Sequence, residues 1–194
     1  MSALRCFVAV PLPSPVADVL QDVGEVVRKT DPRWKAARWV DPRNLHITLR
    51  FIGAVEPDRV ADLTEAISRA IAGHVLSDFA LDAIQASPSP RRPRMLWATF
   101  LDEGGELESL TQAVDETVVG LGFEGDSRPF RPHATLCRLK SPIRFTDAAA
   151  DAASTALAGS PVRVSDPKCT LFSSRLTPRG PVYSELSVWG LGER

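Results

Sequence analysis

Two of the chain's three histidines open the same tetrapeptide. His46-Ile47-Thr48-Leu49 and His133-Ala134-Thr135-Leu136 both read H-x-T-L, 87 positions apart in 194 residues. At the chain's own Thr and Leu frequencies, two histidines share that context by chance roughly once in ten thousand. Each copy lies in an apolar run of strand character, so the repeat is read as a duplicated unit with one copy per half. The third histidine, His74, follows Gly73 at the end of a predicted helix. It is read as a surface residue satisfying the last helix carbonyls, with no catalytic role.

The pleat of a strand turns the repeat into chemistry. Alternate side chains share a face, so His46 and Thr48 point the same way, roughly 6.6 Å apart along the strand. His133 and Thr135 do likewise. Ile47, Leu49 and Phe51 point oppositely, as do Ala134 and Leu136. Cys137 would be the third residue on the histidine face of its strand, read as filler rather than nucleophile. If the two strands face each other across a cleft, two imidazoles and two hydroxyls converge there. Histidine titrates near neutrality, so one imidazole can be neutral and the other protonated. The first takes a proton from water and the second gives one to a departing ribose oxygen. Threonine hydroxyls can donate to phosphate oxygens as negative charge builds. This scheme needs neither metal nor cofactor.

The rest of the chain supplies a mixed set of elements. Leu4 to Val10 is an apolar run broken only by Arg5 and bounded by Pro11 and Pro13, which predicts a buried strand. Ser14, as N-cap, and Pro15 open a helix to about Arg28, with Val16, Leu20, Val23 and Val27 on one face. Leu45 to Phe51 is a strand ended by Gly53. A second helix runs from Glu56-Pro57-Asp58 to Gly73, and a third carries Leu107, Leu110, Val114 and Val118. An alanine-rich helix covers Asp147 to Ala158. Further strands are expected at Phe79 to Ala83, at Met95 to Leu101 and within Phe130 to Leu139, with two last ones at Val162 to Phe172 and Val182 to Val188. No βαβ rhythm or Gly-rich fingerprint accompanies them, so the fold class is α+β with mostly antiparallel sheet.

Composition excludes several alternatives. A net charge of −1 provides no global field toward nucleic acid or anionic lipid. An RNA substrate must therefore be held locally. Cys6, Cys137 and Cys169 form no CxxC pair, which points to reduced thiols and a cytoplasmic protein. The apolar start, Met1 to Leu12, is too short to span a bilayer and lacks signal-peptide organisation. Metal-dependent hydrolysis lacks clustered ligands, and a serine hydrolase lacks its G-x-S-x-G elbow.

Taken together, these motifs resemble the two-histidine phosphoesterase superfamily, in its RNA 2′,3′-cyclic phosphodiesterase or 2′-5′ RNA ligase-like branch. Arg5 to Pro13 is similar to the family's opening strand, and Asn44 to Gly53 to its first motif. Arg94 to Trp97 resembles the central strand, Arg128 to Arg138 the second motif, and Leu171 to Tyr183 the closing hairpin. The resemblance implies one bilobal domain over residues 1–194, with pseudo-twofold symmetry, sheets lining a central cleft and helices outside. It implies hydrolysis of cyclic phosphate ends on RNA or nucleotides to 2′-phosphomonoesters. His46 would be the general acid and His133 the general base, with Thr48, Thr135 and Arg138 holding phosphate. Phe51 would contact the ribose or base. Strict alternation puts Phe51 and Arg138 on the far face from the histidines, so a bulge or a strand end is required near each. A monomer is expected, with no obligate protein partner and no membrane association.

Two alternatives remain from the sequence. RNA 2′-5′ ligation is the reverse of the same transesterification logic. A non-catalytic RNA-end binding module would be expected to show a decayed motif, whereas both His and both Thr are intact. Arg91, Arg92 and Arg94 form one basic cluster, and Arg128, Arg131, Arg138, Lys140 and Arg144 another. Either can guide an RNA backbone, although the general behaviour of charge runs favours a solvated loop for the first. Of the tryptophans, Trp97 is expected in the core, while Trp34 and Trp39 are open to base stacking.

Overall fold

The computed structural model describes residues 2–159, 162–178 and 180–191. Nine strands and four α-helices follow one another along these residues. They are β1 (Leu4–Pro11), α1 (Ser14–Thr30), β2 (Arg38–Trp39), β3 (His46–Val55), α2 (Val60–Ile71), β4 (Phe79–Ser87), β5 (Met95–Phe100), α3 (Glu106–Gly120), β6 (His133–Arg138), α4 (Asp147–Ala158), β7 (Arg163–Val164), β8 (Lys168–Thr177) and β9 (Gly180–Gly190). The strands form one sheet in the order β7-β4-β5-β6-β3-β1-β8-β9, with β2 also paired to β6. The pairings are antiparallel.

The duplication is visible in the wiring. The segment β1-α1-β3-α2 repeats as β5-α3-β6-α4. The helices cross over between copies, α1 packing on α4 and α2 on α3. The two halves of the sheet meet at a single register pair between β3 and β6, Ile47 opposite Ala134. These are the residues that follow the two histidines, so the pseudo-twofold passes between the two motifs.

Apolar periodicity explains the core. In α1 the predicted stripe of Val16, Leu20, Val23 and Val27 is buried, as are Leu63, Ile67 and Ile71 in α2. Each such side chain contributes about 1.5–3 kcal/mol through removal from water. One continuous core joins these helices to one face of the sheet. The opposite sheet face holds a small separate cluster of Phe7, Ala9 and Phe172, with Tyr183 against it.

Several boundaries differ from expectation: β4 runs on past Ala83 to Ser87, and β9 extends over Gly180–Gly190. Ser14 lies inside α1 rather than capping it, because the Pro13 carbonyl already accepts from both Val16 N and Ala17 N, at 3.0 Å each. Gly53 does not end β3: its φ of 92° lets the strand bulge past Ile52 and continue to Val55. The run from Val162 to Phe172 is broken after Val164, where Asp166 takes a φ of 49°. The short β7 then pairs with β4, while β8 crosses to β1 in the other half. No helix among the described residues is long and apolar enough to cross a membrane.

Candidate active site

Both histidines stand at the first residue of their strands and are held alike. His46 Nδ1 lies 2.7 Å from the carbonyl of Asn44, and His133 Nδ1 lies 2.7 Å from that of Arg131. A carbonyl only accepts, so each Nδ1 carries a hydrogen. Each Nε2 is thereby left as the exchangeable position. The turn before His46 is fixed by Asp41, whose carboxylate accepts from the Arg43 backbone N–H at 3.0 Å. Asn44 also reaches the Pro181 carbonyl at 3.4 Å.

Past each threonine the strand bulges at the same place. On β3, Val8 faces Arg50 and Ala9 faces Thr48, so Leu49 is the extra residue. On β6, Leu96 faces Cys137 and Trp97 faces Thr135, so Leu136 is the extra residue. The bulge reverses the alternation, as burial records: Leu49 and Arg50 are both buried while Phe51 is exposed, and Leu136 and Cys137 are both buried while Arg138 is exposed. Phe51 and Arg138 thereby join the histidine face, as the resemblance required.

The same bulge corrects the reading of Cys137. Its side chain is 0% exposed and turned into the core, and burial pushes its thiol up to about 12. It fills space on the opposite side from the histidines. The equivalent place in the first copy belongs to Arg50, a buried cation that the repeat pattern does not reveal. Its Nε lies 2.6 Å from Asp115 Oδ1 on α3, without pointing squarely at it, and its Nη2 donates to the Glu124 carbonyl.

These side chains open onto one cleft of about 1190 Å³, lined by His46, Thr48, Phe51, His133, Thr135 and Arg138. Arg5, Arg38, Trp39 and Tyr183 also line it. The Arg5 guanidinium sits 4.6 Å from the Phe51 ring centre. His46 is flanked by Phe7 and Tyr183, with ring centroids 5.0 and 5.5 Å away. His133 packs against Trp97 at 3.9 Å and 31°. Trp97 therefore backs a histidine rather than entering the helix-side core. Trp34 is 0% exposed, which removes it as a stacking platform. Trp39 borders the cleft with its indole N–H donated to the Trp34 carbonyl at 3.0 Å and Arg28 over its ring.

Electrostatics bias both imidazoles toward neutrality. Burial lowers the His46 pKa, and the cationic forms of His133 and Arg138 lower it further. His133 is lowered by burial and by Arg138. The carbonyl bonds to Nδ1 oppose these shifts without overcoming them. Among the described residues no three His, Cys, Asp or Glu side chains gather as a metal site. Sequence reasoning missed Phe7, Arg38 and Tyr183 as neighbours of the site. Tyr183 had a signal, being the chain's one tyrosine at the end of the closing hairpin motif.

The arrangement of a cleft on a duplicated sheet has counterparts of known family. The model of the LigT-like phosphoesterases matches residues 10–97 and 101–183, one segment in each half. The chain belongs to this LigT-like phosphoesterase family. An Archaeoglobus fulgidus protein named RNA 2′,3′-cyclic phosphodiesterase is 32% identical over 96% of the chain and 99% of its own length. A Thermotoga maritima protein of the same name is 26% identical over 94% of the chain and 93% of its own length. Among solved structures, TT0787 of Thermus thermophilus superposes with a TM-score of 0.74 at 26% identity, covering 98% of the chain and all of that protein. The Escherichia coli LigT structure complexed with 3′-AMP shares the fold, with a TM-score of 0.67 at 23% identity over 98% of this chain and 99% of that one.

Proposed function

We propose that the chain hydrolyses 2′,3′-cyclic phosphate ends of RNA to 2′-phosphomonoesters without a metal ion. The observation that carries this reading is the paired histidine geometry: two Nδ1–H groups tied to carbonyls, two Nε2 positions on one cleft, and a threonine beside each. His133 acts as general base and takes a proton from water as its oxygen bonds to phosphorus. The P–O3′ bond breaks, and His46, as general acid, protonates the departing 3′-oxygen. The Thr48 and Thr135 hydroxyls donate to the non-bridging oxygens, and Arg138 adds a charge-assisted contact. Phe51 meets the ribose or base. The order of acid and base follows from the 2′-phosphate product and the family resemblance, since the pseudo-twofold is indifferent to it.

Both motifs lie on one chain, so a monomer working as one bilobal unit is sufficient. Three buried free thiols fit a reducing compartment such as the cytoplasm. The test is a short RNA with a 2′,3′-cyclic phosphate end, incubated in excess EDTA with wild type, His46→Ala and His133→Ala. Conversion to a 2′-phosphate by wild type alone is expected. A 3′-phosphate product would reverse the leaving group, and no conversion by folded protein would overturn the reading.

A further inference from the structure

Two loops that are distant in sequence come together beside the cleft. The Leu139 backbone N–H donates to the Arg94 carbonyl at 2.8 Å, and the Phe145 N–H to the Pro90 carbonyl at 2.8 Å. The loops 88–94 and 139–146 are thus zipped side by side, continuing the β5–β6 pairing in which Met95 faces Arg138. Buried anchors alternate with exposed cations along both. Pro93, Leu139 and Phe145 point into the protein, while Arg91, Arg92, Arg94, Lys140 and Arg144 are exposed. Phe145 is pinned edge-on against the buried Trp34, with ring centroids 5.5 Å apart.

The surface is also one-signed. Neither 83–101 nor 127–146 contains an Asp or Glu, although the chain as a whole carries a net charge of −1. Among the described residues none of these five cations, nor Arg138, has a carboxylate within ion-pair distance. The contrast with Arg33, Arg43 and Arg128 is informative, because each of those is neutralised by an aspartate two residues earlier. Asp147 is the nearest acid in sequence and opens α4.

We infer that this zipped pair of loops is the binding track for the RNA strand lying 5′ to the reacting end. The inference rests on the reading that the cleft takes RNA cyclic phosphates, and it adds where the body of the substrate goes. Arg138 belongs to both regions: it lines the cleft and adjoins Leu139 and Lys140 on the track. A strand with its terminal phosphate between the histidines leaves at the Arg138 end and lays its next phosphates on fixed cations. Prolines 88, 90, 93 and 142 and the buried anchors hold the loops in place, so little order is lost on binding. A local track, rather than a net positive charge, is how a slightly acidic protein selects nucleic acid only at its site.

The test compares a cyclic mononucleotide with a single-stranded RNA of about twelve nucleotides ending in the same cyclic phosphate. Single-strand binding weakens with salt by a slope of about −0.7 per phosphate contacted, so three contacts give roughly a twentyfold loss of kcat/KM between 50 and 200 mM salt. The mononucleotide, with one phosphate, should lose no more than about threefold. The triple variant Arg91→Gln, Arg92→Gln, Lys140→Gln should lower the salt dependence of the long substrate toward that of the mononucleotide and leave mononucleotide turnover intact. Equal salt dependence of both substrates in wild type, or equal losses on both in the variant, overturns the track. Fluorescence anisotropy with an unreactive 3′-phosphorylated RNA of the same length reads the track without turnover. Binding there, with no hydrolysis of either substrate, would support the track and sink the catalytic reading instead. Displacement of that RNA by polyglutamate as readily as by unlabelled RNA would overturn RNA as the occupant.

Discussion

Replacing Arg50 with methionine tests the buried network behind the first bulge. The Arg50 side chain is 6% exposed, with Nε 2.6 Å from Asp115 Oδ1, Nη1 3.9 Å from Asp126 Oδ2 and Nη2 on the Glu124 carbonyl. It ties β3 to α3 and to the turn that leads toward His133. Methionine keeps much of the apolar stem and removes the guanidinium. A hydrogen bond from a charged group is worth about 1.5–3 kcal/mol, and the one to the Glu124 carbonyl is lost together with the close ion pair to Asp115. Asp115 is 29% exposed and recovers water, and Asp126 keeps Arg128 at 2.6 Å, so part of the loss is returned. The expected net cost is about 2–4 kcal/mol, below the full penalty for stranding a buried charge. At about 2–4 °C per kcal/mol for a chain of this size, Tm should fall by roughly 5–15 °C in calorimetry. Asp126→Asn is the internal control and should cost less than about 1 kcal/mol, as expected for a partly exposed pair. A Tm for Arg50→Met within about 2 °C of wild type would refute the reasoning, because a solvated surface pair would behave that way.

Because burial lowers both histidine pKa values, the bell-shaped kcat/KM profile of the free enzyme should peak on the acid side of an ordinary imidazole. Arg138 contributes to both shifts, so Arg138→Gln should move both limbs to higher pH while reducing the rate; an unmoved or acid-shifted profile would count against the assignment. Thr48→Ala and Thr135→Ala should each lower kcat by roughly a hundredfold with Tm unchanged, since the hydroxyls line the cleft and act on transition-state charge. Unfolded variants would put those threonines in the core instead. A diester with a 4-nitrophenolate leaving group needs no proton donor, so His46→Ala should retain far more of its rate on it than His133→Ala, and the reverse pattern would exchange acid and base. Phe51→Ala should raise KM for RNA ends by roughly 5- to 100-fold, the worth of one base or ribose stack, with kcat little changed; a loss confined to kcat would deny it a binding role.

What could be read from the sequence had a period within one segment. The stripe Leu63, Ile67 and Ile71 specifies a helix face, and His46 with Thr48 specifies a strand face, because each pattern depends only on its own backbone repeat. The bulges were not legible in that way. A bulge is a mismatch of register between neighbours, β3 against β1 and β6 against β5, and no property of a single strand encodes it. The family resemblance called for a bulge or a strand end near each motif, without saying which of the two or at which residue. The nearest local trace is Leu49-Arg50 and Leu136-Cys137, two adjacent inward residues where alternation allows one. The residue that fills the inward position differs completely between the copies, a paired guanidinium in one and a protonated thiol in the other. What the two copies share is the shifted register, and that register brings Phe51 and Arg138 onto the face of the histidines. The site therefore depends on where the strand steps, and the displaced side chain of each copy is satisfied by what packs behind it: Asp115 of α3, from the other copy, for Arg50, and the apolar core for Cys137.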